Sequence, residues 1–299
     1  MVNRDAFAGF HPVNNFLYFA IVLIVSMFSM NPWYILISLA GAVCYSIRLK
    51  GTEKFLKSLA VMIPVMIFTA AINPVFNHQG VTILTYLPNG NPLTMESMAY
   101  GLFAAAMMVT VISWFSCYSE IMTSDKFVYL FGRIIPSLSL LISMTLRFVP
   151  KFRAQYREVL TAQKCIGKAG SDKKFSEKIK TGVRIVSIMI TWAMENAIET
   201  ADSMRSRGYG LPGRTAFSIY KFDRRDRMML LWLLIAAFFV AVSWAKGGLY
   251  FRFYPAIKAA QPGLFTVTGM FFFLLLCLTP FLTDVYEDRI WRKTECFVK

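Results

Sequence analysis

The amino-acid sequence predicts an all-α, polytopic membrane protein with about six transmembrane helices and one large basic insert. Of its 299 residues, 56% are hydrophobic and only 16% are charged, whereas about a quarter of the residues in a typical soluble protein are charged. The hydrophobic residues form blocks that approach the roughly 20 residues needed to cross a bilayer. Lysine and arginine lie mostly outside those blocks and give a net charge of +15.

The N-terminal part of the chain contains four predicted spans. The first two are short and are separated only by Asn31-Pro32, which predicts a tight helical hairpin because proline suits the first turn of a helix. The first residues lack the pattern of a signal-peptide cleavage site, so we expect the first span to remain in the mature protein. In chain order, the four hydrophobic blocks are Phe16–Met30, Trp33–Ile47, Leu59–Phe76 and Met98–Tyr118.

Two further spans are predicted near the C-terminus, at Met228–Trp244 and Leu264–Leu282. The apolar segment Pro136–Val149 reaches only about one-half to two-thirds of the length of a span. There we expect a short or tilted helix that leads to the membrane surface. The predicted organisation is membrane helices over residues 1–150, an insert over 151–227, and membrane helices with a tail over 228–299.

The distribution of positive charge predicts the orientation in the membrane. If the N-terminus is cytoplasmic, all of the 32 lysines and arginines except Lys246, Arg252 and Lys258 lie on the cytoplasmic side. More than half of them fall within Arg147–Arg227, whereas the loop Asn77–Ser97 has none and falls outside. Short cytoplasmic loops carry an excess of lysine and arginine. We therefore expect both termini and the insert to be cytoplasmic.

The insert is predicted to contain two helices. The first covers Phe152–Lys164 and is interrupted by the glycine-containing stretch Gly167–Asp172. The second begins near Ser176, a suitable N-cap, and continues to about Arg205. It ends before Gly208, a typical glycine C-cap. A continuous apolar stripe repeats every three or four residues along it: Ile179, Val183, Val186, Ile190, Ala193, Ala197, Ala201 and Met204.

The sequence offers no pattern of catalytic, metal-binding or cofactor-binding residues. The five cysteines have no CxxC spacing, His11 and His78 are predicted on opposite faces of the membrane, and a Walker-type glycine loop is missing. The long spans carry no ionisable residue well inside their boundaries, which disfavours a lone channel or transporter. The one dense acidic group, Asp284, Glu287 and Asp288, is interpreted as a solvated helix end.

At Met204-Arg205-Ser206-Arg207-Gly208-Tyr209 the chain resembles the transmembrane T component of energy-coupling factor (ECF) transporters, the EcfT/CbiQ-like family of ABC-class vitamin and metal-ion importers. That family carries two Ala-Arg-Gly-like motifs at the ends of its cytoplasmic coupling helices, and Ser206-Arg207-Gly208 is similar to the second. Where the first is expected, the chain has Gln163-Lys164-Cys165-Ile166-Gly167, which keeps the glycine but replaces arginine by Ile166. The likeness extends to the segment from Ser124 through Pro136, to Thr145–Pro150 and to His11–Asn14.

The resemblance implies a non-catalytic transporter subunit without a cofactor, in the plasma membrane of a prokaryote. Its implied partners are two cytoplasmic ABC-type ATPases and a membrane-embedded substrate-binding S component for a micronutrient such as a vitamin, cobalt or nickel; no nucleic acid is expected. The implied ATPase-docking residues are Ser206, Arg207, Gly208, Arg205, Gln163, Lys164 and Gly167.

Two other classes of function stay open at this point. A membrane scaffold or assembly factor would use the same basic insert to bind anionic lipid or a partner without any ATPase. A membrane enzyme acting on lipid would need an interfacial group such as Asp284, Glu287 and Asp288.

Overall fold

The computed structural model describes residues 5–77, 80–86, 92–132, 136–167, 175–211, 220–255, 257–259 and 263–298. The chain divides into two compact units. Unit 1 combines Met1–Thr123 with Tyr220–Lys299, and unit 2 is Ser124–Ile219. The boundaries predicted at residues 150 and 227 separate membrane helices from a cytoplasmic insert, and they stay predictions.

The described residues form nine α-helices and two small antiparallel hairpins. The helices are α1 Pro12–Phe28, α2 Pro32–Lys50, α3 Thr52–Phe76, α4 Met95–Ile121, α5 Ser124–Gly132, α6 Pro136–Cys165, α7 Phe175–Ser206, α8 Arg224–Ala245 and α9 Leu264–Val298. The hairpins pair β1 (Ile83–Tyr86) with β2 (Pro92–Thr94), and β3 (Phe251–Arg252) with β4 (Lys258–Ala259). Strands this short leave no alternating hydrophobic pattern, so they were not predicted.

The predicted fold class is confirmed. Helices α2, α3, α4, α8 and the part of α9 up to Ile290 are long and apolar enough to cross a membrane, and α1 is a shorter apolar helix of 17 residues. These six helices correspond to the six hydrophobic blocks. The protein is therefore an all-α, multi-pass membrane protein.

The predicted hairpin of α1 and α2 is confirmed, and polar caps fix where both helices begin. Pro32 is the first residue of α2, and the side chain of Asn31 accepts the Trp33 N–H at 3.1 Å. At the start of α1, His11 Nδ1 accepts the Val13 N–H at 3.3 Å. Each cap satisfies a backbone donor that the first turn of a helix leaves without a partner.

Unit 1 has an aromatic core in which α1, α2 and α4 meet. Tyr18, Phe19, Tyr45 and Trp114 are fully buried, and the Tyr18 and Trp114 rings lie 6.0 Å apart in an edge-to-face arrangement. Trp114 Nε1 donates to Ser38 Oγ at 2.9 Å. Hydrogen bonds of this kind help helices associate where lipid removes the hydrophobic driving force.

The acidic group at the end of the last span has a structural role, and its interpretation as a solvated helix end is wrong for Asp284. That side chain is only 5% exposed. Its Oδ1 accepts the backbone N–H groups of Ala6 and Phe7 at 2.8 and 3.3 Å. Asp288 forms an ion pair with Arg48, and Glu287 lies 3.6 Å from Arg225. The two bonds to Asp284 anchor the short 3-10 turn Phe7–Gly9 that precedes α1, and they supply the hydrogen bonds that a buried carboxylate needs.

Unit 2 is built from α5, α6 and α7. The predicted break between a short helix and a second helix at Pro150 is wrong, because α6 continues through Pro150 as one helix of 30 residues. Proline removes one intrahelical hydrogen bond, which kinks a helix without always ending it.

The prediction of a helix from Ser176 to about Arg205 is confirmed by α7, which has 32 residues and is about 48 Å long at 1.5 Å per residue.

Candidate coupling surface

Helices α6 and α7 contact each other near their middles. The Lys151 Nζ donates to Asn196 Oδ1 and lies 5.4 Å from the centroid of the Trp192 ring. The Phe152 ring meets the same indole edge-to-face, with centroids 5.4 Å apart. From this crossing both helices continue to their C-terminal ends, for about 20 Å in α6 and about 15 Å in α7. The crossing therefore leaves each helix with a C-terminal arm.

The α7 arm ends in a glycine cap, as the sequence predicts. Tyr209 N–H donates to the Met204 carbonyl, and Gly208 N–H donates to the Arg205 carbonyl, both at 3.0 Å. Gly208 has a φ of 79°, a left-handed conformation that glycine adopts without steric cost. Together these features form a Schellman motif, which fixes the backbone of Arg207 immediately before the turn.

The α6 arm also ends at a glycine with positive φ. Gly167 has a φ of 71°, and its N–H donates to the Lys164 carbonyl at 2.9 Å. This bond is the counterpart of the one from Gly208 to Arg205. The two ends therefore correspond residue by residue: Lys164 to Arg205, Cys165 to Ser206, Ile166 to Arg207, and Gly167 to Gly208. We call these segments, Gln163–Gly167 and Met204–Tyr209, the coupling ends.

The coupling ends carry exposed side chains that can meet a partner. Arg205 and Ser206 at the end of α7 are exposed, as are Arg207 directly after it and Lys164 on α6. Within the described part of the chain, the ion pairs involve Arg48 and Arg225, so neither coupling-end guanidinium has a carboxylate partner there. An exposed guanidinium on a fixed backbone can form a forked pair with a carboxylate of another protein.

Gln163 differs from the other candidate residues. It is only 8% exposed, and its Oε1 has no hydrogen-bond partner among the described residues. Leaving such a buried acceptor unsatisfied is costly. Gln163 thus lies at the α6 coupling end without presenting an open surface in this conformation.

The predicted apolar stripe of α7 is present and largely exposed. Val183 is 65% exposed and Ile190 is 58% exposed. Ile198 and Met194, which sequence reasoning did not assign to the stripe, are also exposed. Ile185 on the same helix is buried. Next to the crossing, residues of α6 between Thr145 and Arg157, together with Met189 of α7, line a groove of about 460 Å³. Unit 2 therefore displays an exposed apolar stripe, and such patches often mark contacts with another protein or with a membrane.

The residues of the helix crossing were missed by sequence reasoning. Trp192 and Asn196 stand four residues apart and share one side of α7. That spacing was a signal for a contact face, but a tryptophan near a membrane is also a common interfacial anchor. The sequence did not identify Lys151 and Phe152 as their partners.

Residues 9–217 match the family model of CbiQ, the cobalt transport protein. The matched region contains both coupling ends and extends from α1 to the last residues of unit 2. The chain belongs to the CbiQ family, the transmembrane T components of energy-coupling factor transporters.

Three curated relatives of this T component carry the description energy-coupling factor transporter transmembrane protein EcfT. The alignment with the Lactococcus lactis protein has 24% identity and covers 76% of this chain and 89% of the relative. That with Listeria innocua has 30% identity over 34% of this chain and 38% of the relative. That with Staphylococcus aureus has 20% identity over 81% of this chain and 98% of the relative. The resemblance noted in the sequence is thereby confirmed at the level of the family.

Proposed function

We propose that this T component transmits the ATP-driven motion of two cytoplasmic ABC-type ATPases to a membrane-embedded S component. That S component binds the transported micronutrient, a vitamin or a transition-metal ion. The T component itself carries out no catalysis and needs no cofactor. Both termini and the insert over residues 151–227 lie on the cytoplasmic side, in accord with the positive-inside distribution of lysine and arginine.

The observation that carries this proposal is the α7 coupling end. Arg207 is exposed, and the Schellman motif at Gly208 fixes its backbone. A bidentate guanidinium–carboxylate contact is strong and directional. An arginine on a fixed helix end can therefore stay bound to the ATPase while the ATPase surface moves. Truncating one partner of such a contact at an interface typically costs about 2–5 kcal/mol.

The helix crossing supplies the mechanical part of the proposal. Lys151 and Phe152 hold Trp192 and Asn196 at the point where the arms meet. When ATP binding closes the two ATPases, each arm moves with the ATPase surface that it contacts. The exposed apolar stripe of α7 offers the S component a surface that does not depend on the coupling ends. Motion of the arms then changes how the S component is held in the membrane.

The first test is purification of the tagged full-length protein from its native host in mild detergent, with mass spectrometry of what co-elutes. We expect two ABC-type ATPase subunits and a small hydrophobic protein. Arg207→Glu should remove the ATPases, because it inverts the charge at the contact. Arg184→Glu is the matched control, since Arg184 is also exposed on α7 but lies about six turns before the end.

The same purification decides between transporter and scaffold. Recovery of the chain with anionic lipid and without any ATPase would contradict the proposal and favour the scaffold. If Arg207→Glu and the wild-type chain recover the ATPases equally, only the role assigned to Arg207 is contradicted.

A further inference from the structure

The two coupling ends share a positive-φ glycine and one cap hydrogen bond but differ in charge at one position. Lys164 and Arg205 are both cationic, and Gly167 and Gly208 both have positive φ. The residue directly before the glycine is Ile166 at the α6 coupling end and Arg207 at the α7 coupling end. Ile166 is 63% exposed. A large, exposed aliphatic side chain therefore occupies the position at which the other arm presents a guanidinium.

The arms behind these positions also differ in charge. Exposed Arg153, Arg157 and Lys164 outnumber Glu158 on the α6 arm. On the α7 arm, the exposed residues before Arg205 include three acids: Glu195, Glu199 and Asp202. A partner surface that complements one arm is therefore not electrostatically suited to the other, since like charges brought together across an interface reduce affinity.

One binding groove cannot serve both ends well. A groove that takes Arg207 needs a carboxylate, and Ile166 in that groove would bury the carboxylate without a partner. A groove that takes Ile166 is lined by apolar groups, and Arg207 there would be a buried, unpaired cation. Isoleucine contributes to binding only when its exposed surface is removed from water.

We propose that Ile166 is a specificity-determining residue, which directs the α6 coupling end to an ATPase groove with an apolar pocket. The α7 coupling end binds a groove that presents a carboxylate to Arg207. Lys164 stays at the polar rim of the α6 contact. This inference rests on the proposed function. Its partner is a pair of ABC-type ATPases whose two docking grooves differ in chemistry.

The chain provides equivalent positions for a cross-linking test. Cys165 is exposed and corresponds to Ser206 on the other arm. A photoactivatable benzophenone maleimide is attached at Cys165 in a full-length chain with Cys44 and Cys296 replaced by serine. The matched chain carries the same probe at Ser206→Cys with Cys165→Ser in addition. Each is assembled with its co-purifying ATPases, illuminated, and the labelled peptides are identified by mass spectrometry.

We expect the two probes to label ATPase segments of different sequence, with apolar residues and no carboxylate in contact with the probe at Cys165. Ile166→Arg should lower cross-linking from Cys165 by about tenfold, because an apolar pocket does not accommodate a guanidinium, and should leave cross-linking from Ser206→Cys unchanged. Ile166→Val should retain most of the yield.

Labelling of one identical segment from both positions would overturn the inference while leaving the proposed function intact. An unchanged or increased yield with Ile166→Arg would do the same. Absence of any ATPase cross-link from both positions would overturn the inference and the proposed function together.

Discussion

The Oδ1 of Asp284 accepts the backbone N–H of Ala6 at 2.8 Å, although the two residues are 278 positions apart. The last span thereby holds the turn that precedes the first helix. Because this carboxylate also accepts the Phe7 N–H, it satisfies two backbone donors that the protein buries.

We expect Asp284→Ala to destabilise the protein, because it leaves the N–H groups of Ala6 and Phe7 without their acceptor. Each unsatisfied buried donor costs about 1–3 kcal/mol. Thermal unfolding in detergent, followed by tryptophan fluorescence, should show a clear decrease in Tm. Asp284→Asn keeps one acceptor oxygen and should lose less. An unchanged Tm for Asp284→Ala would show that the turn is held by other contacts.

The α7 coupling end should be sensitive to Gly208→Ala. A φ of 79° costs a residue with a Cβ about 1–2 kcal/mol, and the added Cβ would lie 3.2 Å from Leu211 Cδ1. We expect faster hydrogen exchange in peptides covering residues 200–211 and weaker recovery of ATPases.

Gly182→Ala is the control in the same helix. Gly182 lies within α7, and a Cβ there would meet nothing within 4 Å. Alanine in a helix interior is favoured over glycine by about 0.5–1 kcal/mol, so ATPase recovery should be unchanged. Equal effects of the two substitutions would mean that the left-handed turn is not what matters at Gly208.

The predicted orientation can be tested with a thiol reagent that does not cross membranes. Exposed Cys165 should be protected in intact cells and labelled after permeabilisation. Val81→Cys, placed at a position 68% exposed before β1, should be labelled in intact cells, since the loop that contains it carries no lysine or arginine and is predicted outside. Labelling of Cys165 but not of Val81→Cys in intact cells would show that the orientation is opposite to the predicted one.

The helix crossing should control the separation of the two coupling ends. Trp192→Ala removes the edge-to-face contact with Phe152 and the cation–π contact with Lys151, which are each worth about 0.5–1.5 kcal/mol. Spin labels at Cys165 and Ser206→Cys should report a broader distance distribution by pulsed electron resonance. Ile198→Ala, on an exposed position of the same helix, should leave the distribution as it is. A distance distribution that stays narrow with Trp192→Ala would show that other contacts fix the separation of the coupling ends.

Local signals in the sequence predicted the six apolar helices and some of the helix ends, although α3 begins seven residues before its predicted block and α9 continues well beyond Leu282. Hydrophobic blocks determined the spans, Pro32 marked the start of α2, and Gly208 marked the end of α7. Each of these features depends on residues within a few positions of one another, so a pattern along the chain is sufficient to recognise it.

The incorrect predictions have two causes. One is a contact between segments that are distant in the sequence, and the other is a local energetic cost that the fold tolerates. Pro150 suggested a helix end, but α6 continues through it, because the loss of one backbone hydrogen bond is not enough to end the helix. Asp284 suggested a solvated carboxylate because its burial against Ala6 is set by tertiary packing. The family likeness identified both coupling ends. That likeness also placed Ile166 where the first motif has arginine, and the positive φ of Gly167 and Gly208 supports the equivalence of Ile166 and Arg207.

The exposed stripe on α7 has a consequence for how the protein is made. Val183, Val186 and Ile190 lie on a surface that the described chain leaves uncovered. A newly synthesised chain without its partners presents this surface to chaperones, to proteases and to other copies of itself, since exposed apolar patches promote association. We therefore expect the abundance of the protein in the cell to follow the supply of its partner subunits, so that excess copies are degraded and subunit proportions stay balanced.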